Sequence, residues 1–402
     1  MSTELFGVNK KKQIWLVSEL FYPETISTGY IMTEIAISLA RNHEVMVVCG
    51  PEFYEKKNNK ITIKPLDNIT TYRVKSKPYN KNRLISRIFG HLRVTYKMLS
   101  LMRKEIPKDV DILMVTNPVL LFVLTSLIAK KRKWKMHLLV HDVFPENLVL
   151  SGFLKSKTSF FFRKIKSIFN NSFKKMDVLI VLGQDMLKLF ELKIGKQNGI
   201  SIIENWADTN NIKKHKIDTD LSRKFLFAGN MGRLQGIEVL LKAIKNTEKA
   251  PYIFSFIGSG ALDQYIENFI INNKSINIEK QGWVSRENQD KFLAEATIGV
   301  VTLKKGMYGL GVPSKFYNLL AAGKPVFYIG DVNSEIHIVL QKHKIGWFAE
   351  AGNLDEISKV LLKIADEDVS KIIEYSKNAR ALAENEYSKQ IILNKFNNLF
   401  KN

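Results

Sequence analysis

Residues 225–244 read FLFAGNMGRLQGIEVLLKAI, and the fold follows from how that stretch divides. Phe225 to Ala228 is a short apolar run, as a parallel strand covered on both faces must be. Gly229, Gly232 and Gly236 break the run, and from Ile237 the apolar residues return at helical spacing. Glycines in such a turn let backbone approach a ligand, and the helix that follows points free N–H groups at it. Arg233 would pair with an anion held there. The spacing is not GxGxxG, and turn glycines also serve geometry alone, so the stretch by itself leaves the ligand open.

The same alternation extends outward in both directions. Upstream, QIWLVSE, EVMVVCG, DILMVT, KMHLLVHD, DVLIVLG and GISIIEN read as strands with helical patterns between most of them, the first helix spanning roughly Thr28 to Arg41. Downstream, YIFSFIG, INIEK, TIGVVTL and KPVFYIG repeat the pattern, with helices at about 236–247, 260–272, 286–295 and 314–322. Alternating strand and helix predicts right-handed βαβ units in doubly wound sheets. A chain of 402 residues exceeds one ordinary core. We therefore expect an α/β protein of two Rossmann-like domains: an N-terminal one over 12–205, a polar linker over 206–223, a C-terminal one over 224–385, and a last helix over 386–402. Two such sheets in series form a cleft at the carboxyl ends of their strands.

A second segment, GLGVPSKFYNLLAAGKP (309–325), puts Pro313 and Ser314 at a helix start and Lys315 in the first turn. A cation there opposes the helix macrodipole unless an anion is bound. Lys315 and the free N–H groups thus make a diphosphate site; a solvated surface lysine is the alternative. In the first domain, HDVFPEN (141–147) lies at the carboxyl end of a strand facing the cleft. His141 would orient or polarise a substrate hydroxyl, Asp142 would contact another hydroxyl, and Glu146 is a third candidate. A helix cap for Asp142 and a satisfied buried histidine are the competing explanations.

The net charge is +22, which attracts polyanions. Much of it lies in KNRLISRIFGHLRVTYKMLSLMRKEIPK and GFLKSKTSFFFRKIKSIFNNSFKKM. In the second, Phe161, Ile165, Phe169 and Phe173 recur every four residues, an apolar stripe beside lysines. Basic amphipathic helices dock on anionic membrane, although a core-facing stripe is the other explanation. No helix-turn-helix, zinc-finger or RNP-type motif supports nucleic acid as a partner. No apolar run reaches the roughly 18 residues of a membrane span, no secretory signal precedes the first strand, and the single cysteine, Cys49, fits a reducing compartment. These features predict a cytoplasmic protein bound peripherally to the inner face of the plasma membrane. There is no HxxxH, CxxC or strand-end Asp-x-Asp, so no metal site is expected.

Taken in order, these segments, with IGSGA, QGWVSRENQDKFLAEATIGVVTL, IENWAD and SELFYPETISTGYIMTEIAISLARNHEVMVV, resemble the retaining glycosyltransferases of family 4, which have the GT-B fold. The branch most alike makes exopolysaccharide, capsule and O-antigen, including colanic-acid transferases. The likeness covers nearly the whole chain. It implies that the C-terminal domain grips a nucleotide sugar, UDP- or GDP-linked, and that the N-terminal domain holds the acceptor, a saccharide on a polyprenyl diphosphate. Gly229, Asn230 and Arg233 would face the diphosphate, with Gly258 of IGSGA in the same donor site. Gly282, Trp283 and Val284 would lie along the base, and Ser314 and Lys315 would contact phosphate or sugar oxygens. The loop YPETISTG would lie over donor and acceptor, with Gly29 on the donor side and Tyr22 and Thr28 on the acceptor side, unless it is a plain βα turn. Such enzymes use no cofactor beyond the nucleotide-sugar co-substrate and typically no metal.

The pattern departs from the family in two places. The family's glutamate pair falls on Leu310 and Asn318, and the basic residues of its first phosphate turn fall near Asn230 and Gln235. Asn318 and, in GDVNSEI, Glu335 are the candidates for contacts to the donor; a helix-start acid is the alternative for Glu335. A nucleotide-sugar epimerase-hydrolase of the same fold, or a non-catalytic GT-B scaffold, are the rival functions.

Overall fold

The computed structural model describes residues 11–24, 27–51, 66–76, 84–150, 152, 160–196, 199–217 and 223–401. Parts of the two basic segments (81–83 and 153–159) and the Asp218–Asp220 triplet of the linker lie outside them.

The N-terminal lobe begins with β1 (Gln13–Ser18), α1 (Ser27–Leu39), β2 (Glu44–Cys49), β3 (Ile69–Arg73), α2 (Leu84–Glu105) and β4 (Asp111–Val115). It continues with α3 (Val119–Arg132), β5 (Lys135–Leu139), α4 (Glu146–Leu150), α5 (Phe160–Phe173), β6 (Val178–Val181), α6 (Gln184–Ile194) and β7 (Ile200–Ile202). The strands form a seven-stranded sheet in the order β3-β2-β1-β4-β5-β6-β7, parallel throughout. β1, β2 and β4 are buried along nearly their whole length, which is why their sequences are apolar rather than alternating.

The C-terminal lobe comprises β8 (Arg223–Ala228), α7 (Ile237–Asn246), β9 (Tyr252–Ile257), α8 (Asp263–Asn272), β10 (Ile278–Gln281), a 3₁₀ turn (Arg286–Asn288) and α9 (Gln289–Ala294). β11 (Ile298–Thr302), α10 (Lys315–Ala321), β12 (Val326–Gly330), α11 (Glu335–His343), β13 (Gly346–Glu350), α12 (Leu354–Ala365), α13 (Val369–Asn385) and α14 (Lys389–Leu399) complete it. Its six strands run β10-β9-β8-β11-β12-β13, again all parallel. The strand order reverses between β8 and β11, which is where such sheets leave a crevice for ligands.

Two edge strands escape the apolar-run criterion. β3 (ITTYR) is largely polar and half-exposed, and β13 (GWFAE) opens on Gly346, where a Cβ would sit 1.8 Å from the Val326 carbonyl oxygen. The tail forms two helices. α13 packs on α10 and α11, and α14 returns to pack on α1 of the other lobe. Lys389 pairs with Glu34 at 2.8 Å, Lys395 with Glu204 at 2.6 Å, and Asn397 donates to Ser38 at 2.9 Å. The crossing itself is not a loose tether: Trp206, Ala207 and Asp208 are buried, and Arg380 donates to the carbonyls of Thr209 and Ile212.

Candidate active site

The carboxyl ends of β8, β9 and β11 and the start of α10 enclose a cavity of about 440 Å³. The β8–α7 turn forms its floor. Gly229 has φ 118° and Gly258 φ 133°, and a Cβ on Gly258 would lie 2.1 Å from the Gly229 carbonyl oxygen. The two turns can nest only because residue 258 has no side chain, and the positive φ at 229 favours glycine there as well. Gly229, Asn230, Gly258, Trp283, Val284, Ser314, Lys315 and Asn318 all line this one cavity. Its lining is mixed: Asn230, Gln235, Ser314, Lys315 and Asn318 supply polar groups and Ile257, Phe292, Leu293, Val300 and Leu319 apolar ones, with Trp283 65% exposed.

Lys315 is the dominant charge. Its Nζ donates to Gln235 Oε1 at 3.2 Å and lies 3.5 Å from the centroid of the Phe227 ring. Among the described residues no carboxylate pairs with it. Protein walls around the ammonium penalise its charged form and bring its pKa down to about 7. A cation so held has room for an anion, and an anion would restore its charge.

The β5–α4 loop of the N-terminal lobe meets the C-terminal lobe just before α10, and its His141 and Asp142 do not line the cavity. Gly311 is the point of approach: a Cβ there would lie 3.1 Å from the His141 carbonyl oxygen and 3.9 Å from Asp142 Oδ1. Val143 N–H donates to the Leu310 carbonyl across the lobes at 3.2 Å. The Asp142 carboxylate accepts from Asn147 Nδ2 at 3.1 Å. Solvent reaches Asp142, but the surrounding protein raises its pKa to about 6, and burial lowers His141 to about 4. At neutral pH, His141 is therefore uncharged and Asp142 mostly ionised. The His141 Nε2 is buried with no hydrogen-bond partner among the described residues.

Residues 208–387 of the chain match the family described as Glycosyl transferases group 1, and residues 29–211 match Glycosyltransferase Family 4. Over 397 residues the chain is 32% identical to the probable glycosyltransferase WbjE of Pseudomonas aeruginosa, with 96% of each chain covered. The chain belongs to the family 4 glycosyltransferases. The putative colanic acid biosynthesis glycosyl transferase WcaI of Escherichia coli K12 is 23% identical over 163 residues, 38% of this transferase and 40% of WcaI. Among solved structures, WaaG, a glycosyltransferase involved in lipopolysaccharide biosynthesis, superposes with a TM-score of 0.67 at 12% identity, over 97% of this chain and 100% of that one. Anabaena HepE in complex with UDP gives 0.69 at 13% identity, over 96% and 99%. These likenesses establish the GT-B fold, two facing Rossmann-like lobes.

Several residues singled out from the sequence lie elsewhere in the transferase. Arg233 sits in the floor turn but is exposed and does not line the cavity. Glu335 is outside it too: its Oε2 accepts from the Gln184 N–H at 2.6 Å, capping α6 of the other lobe. Asp185 of α6 returns the contact, accepting from the Glu335 N–H at 3.0 Å and the Gly309 N–H at 3.2 Å. Burial, with Asp185 close by, raises Glu335 to about 7. Glu146 is buried against Lys193, 2.5 Å away, so its carboxylate is spent on an internal ion pair rather than offered to an acceptor. Gly29 is packed on Glu24, whose carbonyl oxygen a Cβ would meet at 2.7 Å, and its own carbonyl accepts from Thr33. The carbonyl of Tyr22 accepts from Arg73, and its N–H donates to Thr33 Oγ1 at 3.0 Å. Thr28 is half-buried beside Gly29. None of Tyr22, Thr28 and Gly29 lines the cavity.

Gln235 and Arg286 are among the cavity residues not singled out from the sequence as contacts. Gln235 positions Lys315, and Arg286 lines both the main cavity and a smaller one between the lobes. Arg286 stands four residues after Gly282 in GWVSREN, within a segment already identified; nothing in its local pattern separates it from the solvated charges beside it.

Proposed function

We propose that this transferase moves a sugar from a nucleoside diphosphate sugar, with UDP the first candidate, to a hydroxyl of a lipid-linked saccharide, with retention at the anomeric carbon, in assembly of a bacterial surface polysaccharide. One observation carries the reading: an ammonium with no carboxylate partner among the described residues, Lys315, in a cavity lined by glycine turns and by apolar side chains. Polar and apolar linings match a diphosphate and a base. UDP in HepE, and the polysaccharide pathways in the names of WcaI and WaaG, support the same direction.

In this reading the diphosphate lies against Gly229, Asn230, Ser314 and Lys315, and the base against Trp283 and Val284. The bond from the anomeric carbon to the diphosphate oxygen breaks, the acceptor oxygen bonds to the same face of that carbon, and the acceptor proton passes to the departing phosphate. Catalysis is then positioning plus neutralisation of the charge that develops on the leaving group. No strong base is needed. Asp142 accepts a hydrogen bond from a substrate hydroxyl, and neutral His141 orients another. Asn318 takes the place of a carboxylate in this site.

A lipid-linked acceptor requires membrane contact, and the N-terminal lobe offers a face for it. The stripe on α5 divides: Phe169 and Phe173 are buried, the first edge-on and the second stacked against Phe122, whereas Phe161, and Phe160 beside it, are exposed. α3 packs between α2 and α5. Ile88, Phe89, Leu92 and Tyr96 of α2, and Leu120, Leu124 and Leu127 of α3, are exposed as well. Arg93, Lys97, Lys130, Lys131, Arg163 and Lys164 are exposed on the same three helices. Exposed apolar groups with a basic rim suit an anionic bilayer. Among the described residues no helix is long and apolar enough to cross a membrane.

The test is a screen of UDP-, GDP- and dTDP-sugars with membrane extract, reading nucleoside diphosphate release and the anomeric configuration of the product. Release that requires membranes, with retained configuration, is expected. Epimerised or hydrolysed free donor would instead support the epimerase-hydrolase reading, and silence with every donor would support a scaffold.

A further inference from the structure

We infer that Arg286 is the second cation of the diphosphate site and that Tyr30, from the opposite lobe, is the positioning residue that aims it. The inference rests on the donor-site reading above. A diphosphate ester carries two negative charges, and Lys315 supplies one positive charge. Arg233, the other expected partner, is outside the cavity. Arg286 is inside it, half-buried, and its guanidinium has no hydrogen bond or close ion pair among the described residues; the Asp208 carboxylate acts on it only at longer range. It also borders the smaller interlobe cavity together with Ser314 and Asn318, so it stands beside the first turn of α10, where Lys315 is. A planar fork of N–H donors is suited to phosphate oxygens.

What touches the guanidinium is an aromatic ring. Its central carbon lies 3.4 Å from the centroid of the Tyr30 ring, on α1 of the N-terminal lobe. That ring is fixed in turn. Its hydroxyl donates to Asp208 Oδ2 at 2.7 Å, and Trp206 packs beside it at 5.9 Å. Asp208 accepts twice from Asn211 Nδ2, at 3.1 and 3.0 Å. Stacking consumes one face of the guanidinium and leaves its edge, with the N–H donors, free for a ligand. Because Arg286 belongs to one lobe and Tyr30 to the other, opening the cleft would separate them. The grip on the diphosphate is thereby coupled to the closed arrangement of the lobes.

The experiment measures binding by titration calorimetry, using UDP and GDP and the matching nucleosides, uridine and guanosine. Arg286→Ala is expected to weaken whichever nucleoside diphosphate the wild type binds by at least tenfold and to leave the nucleoside unchanged. Tyr30→Leu should weaken the same diphosphate by several fold, Tyr30→Phe should restore it because the stacked ring remains, and Tyr30→Leu should add nothing in the Arg286→Ala background. An unchanged diphosphate affinity in Arg286→Ala, or an equal loss for nucleoside and diphosphate, overturns the assignment. A Tyr30→Leu effect that persists without Arg286 reduces Tyr30 to a structural residue and overturns the coupling. If the wild type binds neither diphosphate, it is the donor-site reading itself that fails. Thermal melts of each variant establish that the fold is retained.

Discussion

Replacing Lys315 with methionine keeps most of the stem and removes the charge. If the ammonium bonds a phosphate oxygen, the loss is that of a hydrogen bond to a charged group, about 1.5–3 kcal/mol. At about 1.4 kcal/mol per decade, the donor affinity should fall roughly 10- to 150-fold. The pH dependence is more discriminating than the loss itself. Burial brings Lys315 down to about 7 in the empty site, and a bound anion raises it again. Above that pH the lysine must take up a proton to bind, so the wild-type Kd should rise by about tenfold per pH unit until the bound form also titrates. A nucleotide sugar is the right ligand, since its diphosphate is esterified at both ends and lacks the terminal phosphate ionisation of the free nucleotide. Calorimetric titration between about pH 6.5 and 9 should give a rising Kd for wild type and a flat, weaker one for Lys315→Met. A wild-type Kd that stays constant across that range, or a variant that follows the wild type, would refute the argument.

Glu335→Gln should flatten the stability profile between about pH 5 and 8. Burial raises Glu335 to about 7, so between its unfolded value and that point the folded state holds a proton the unfolded state has lost, and wild-type stability falls as pH rises. The glutamine keeps an acceptor for the Gln184 N–H, and thermal melts should show the variant more stable than wild type at pH 8, by on the order of 1–3 kcal/mol. Gly258→Ala forces a Cβ to 2.1 Å from the Gly229 carbonyl at a φ of 133°, and urea titration should show a loss of more than about 2 kcal/mol. A Leu124→Asp/Leu127→Asp pair on the exposed face of α3 should abolish co-sedimentation with anionic vesicles while nucleotide affinity is unchanged. Wild-type co-sedimentation that does not weaken with added salt would count against electrostatic docking.

Lys315 and Glu335 show where local pattern carries and where it stops. Both are charged residues in the first turn of a helix after a C-lobe strand, and the sequence offered each a ligand contact. Lys315 opposes its helix dipole, an unfavourable placement that points outward to an anion, and it lies in the cavity. Glu335 favours its own dipole, but its carboxylate reaches across the lobe boundary to another helix's N-terminus. Glu146 fails for the same reason, since Lys193 is distant in sequence and adjacent only once α4 and α6 pack.

The sequence alone determined the architecture, because strands buried on both faces must be apolar and the helices between them amphipathic. It also located the glycine turns, since φ values of 118° and 133° and a close nesting of backbones exclude side chains. Only the tertiary structure decided which charges face the cavity. The one-dimensional pattern pointed to Arg233, in the glycine turn, and not to Arg286; the fold puts Arg286 in the cavity instead, against a tyrosine ring on the opposite lobe 3.4 Å from its guanidinium. Side-chain direction on a turn is set by whatever packs against it, and here the neighbour lies more than two hundred residues away in the chain.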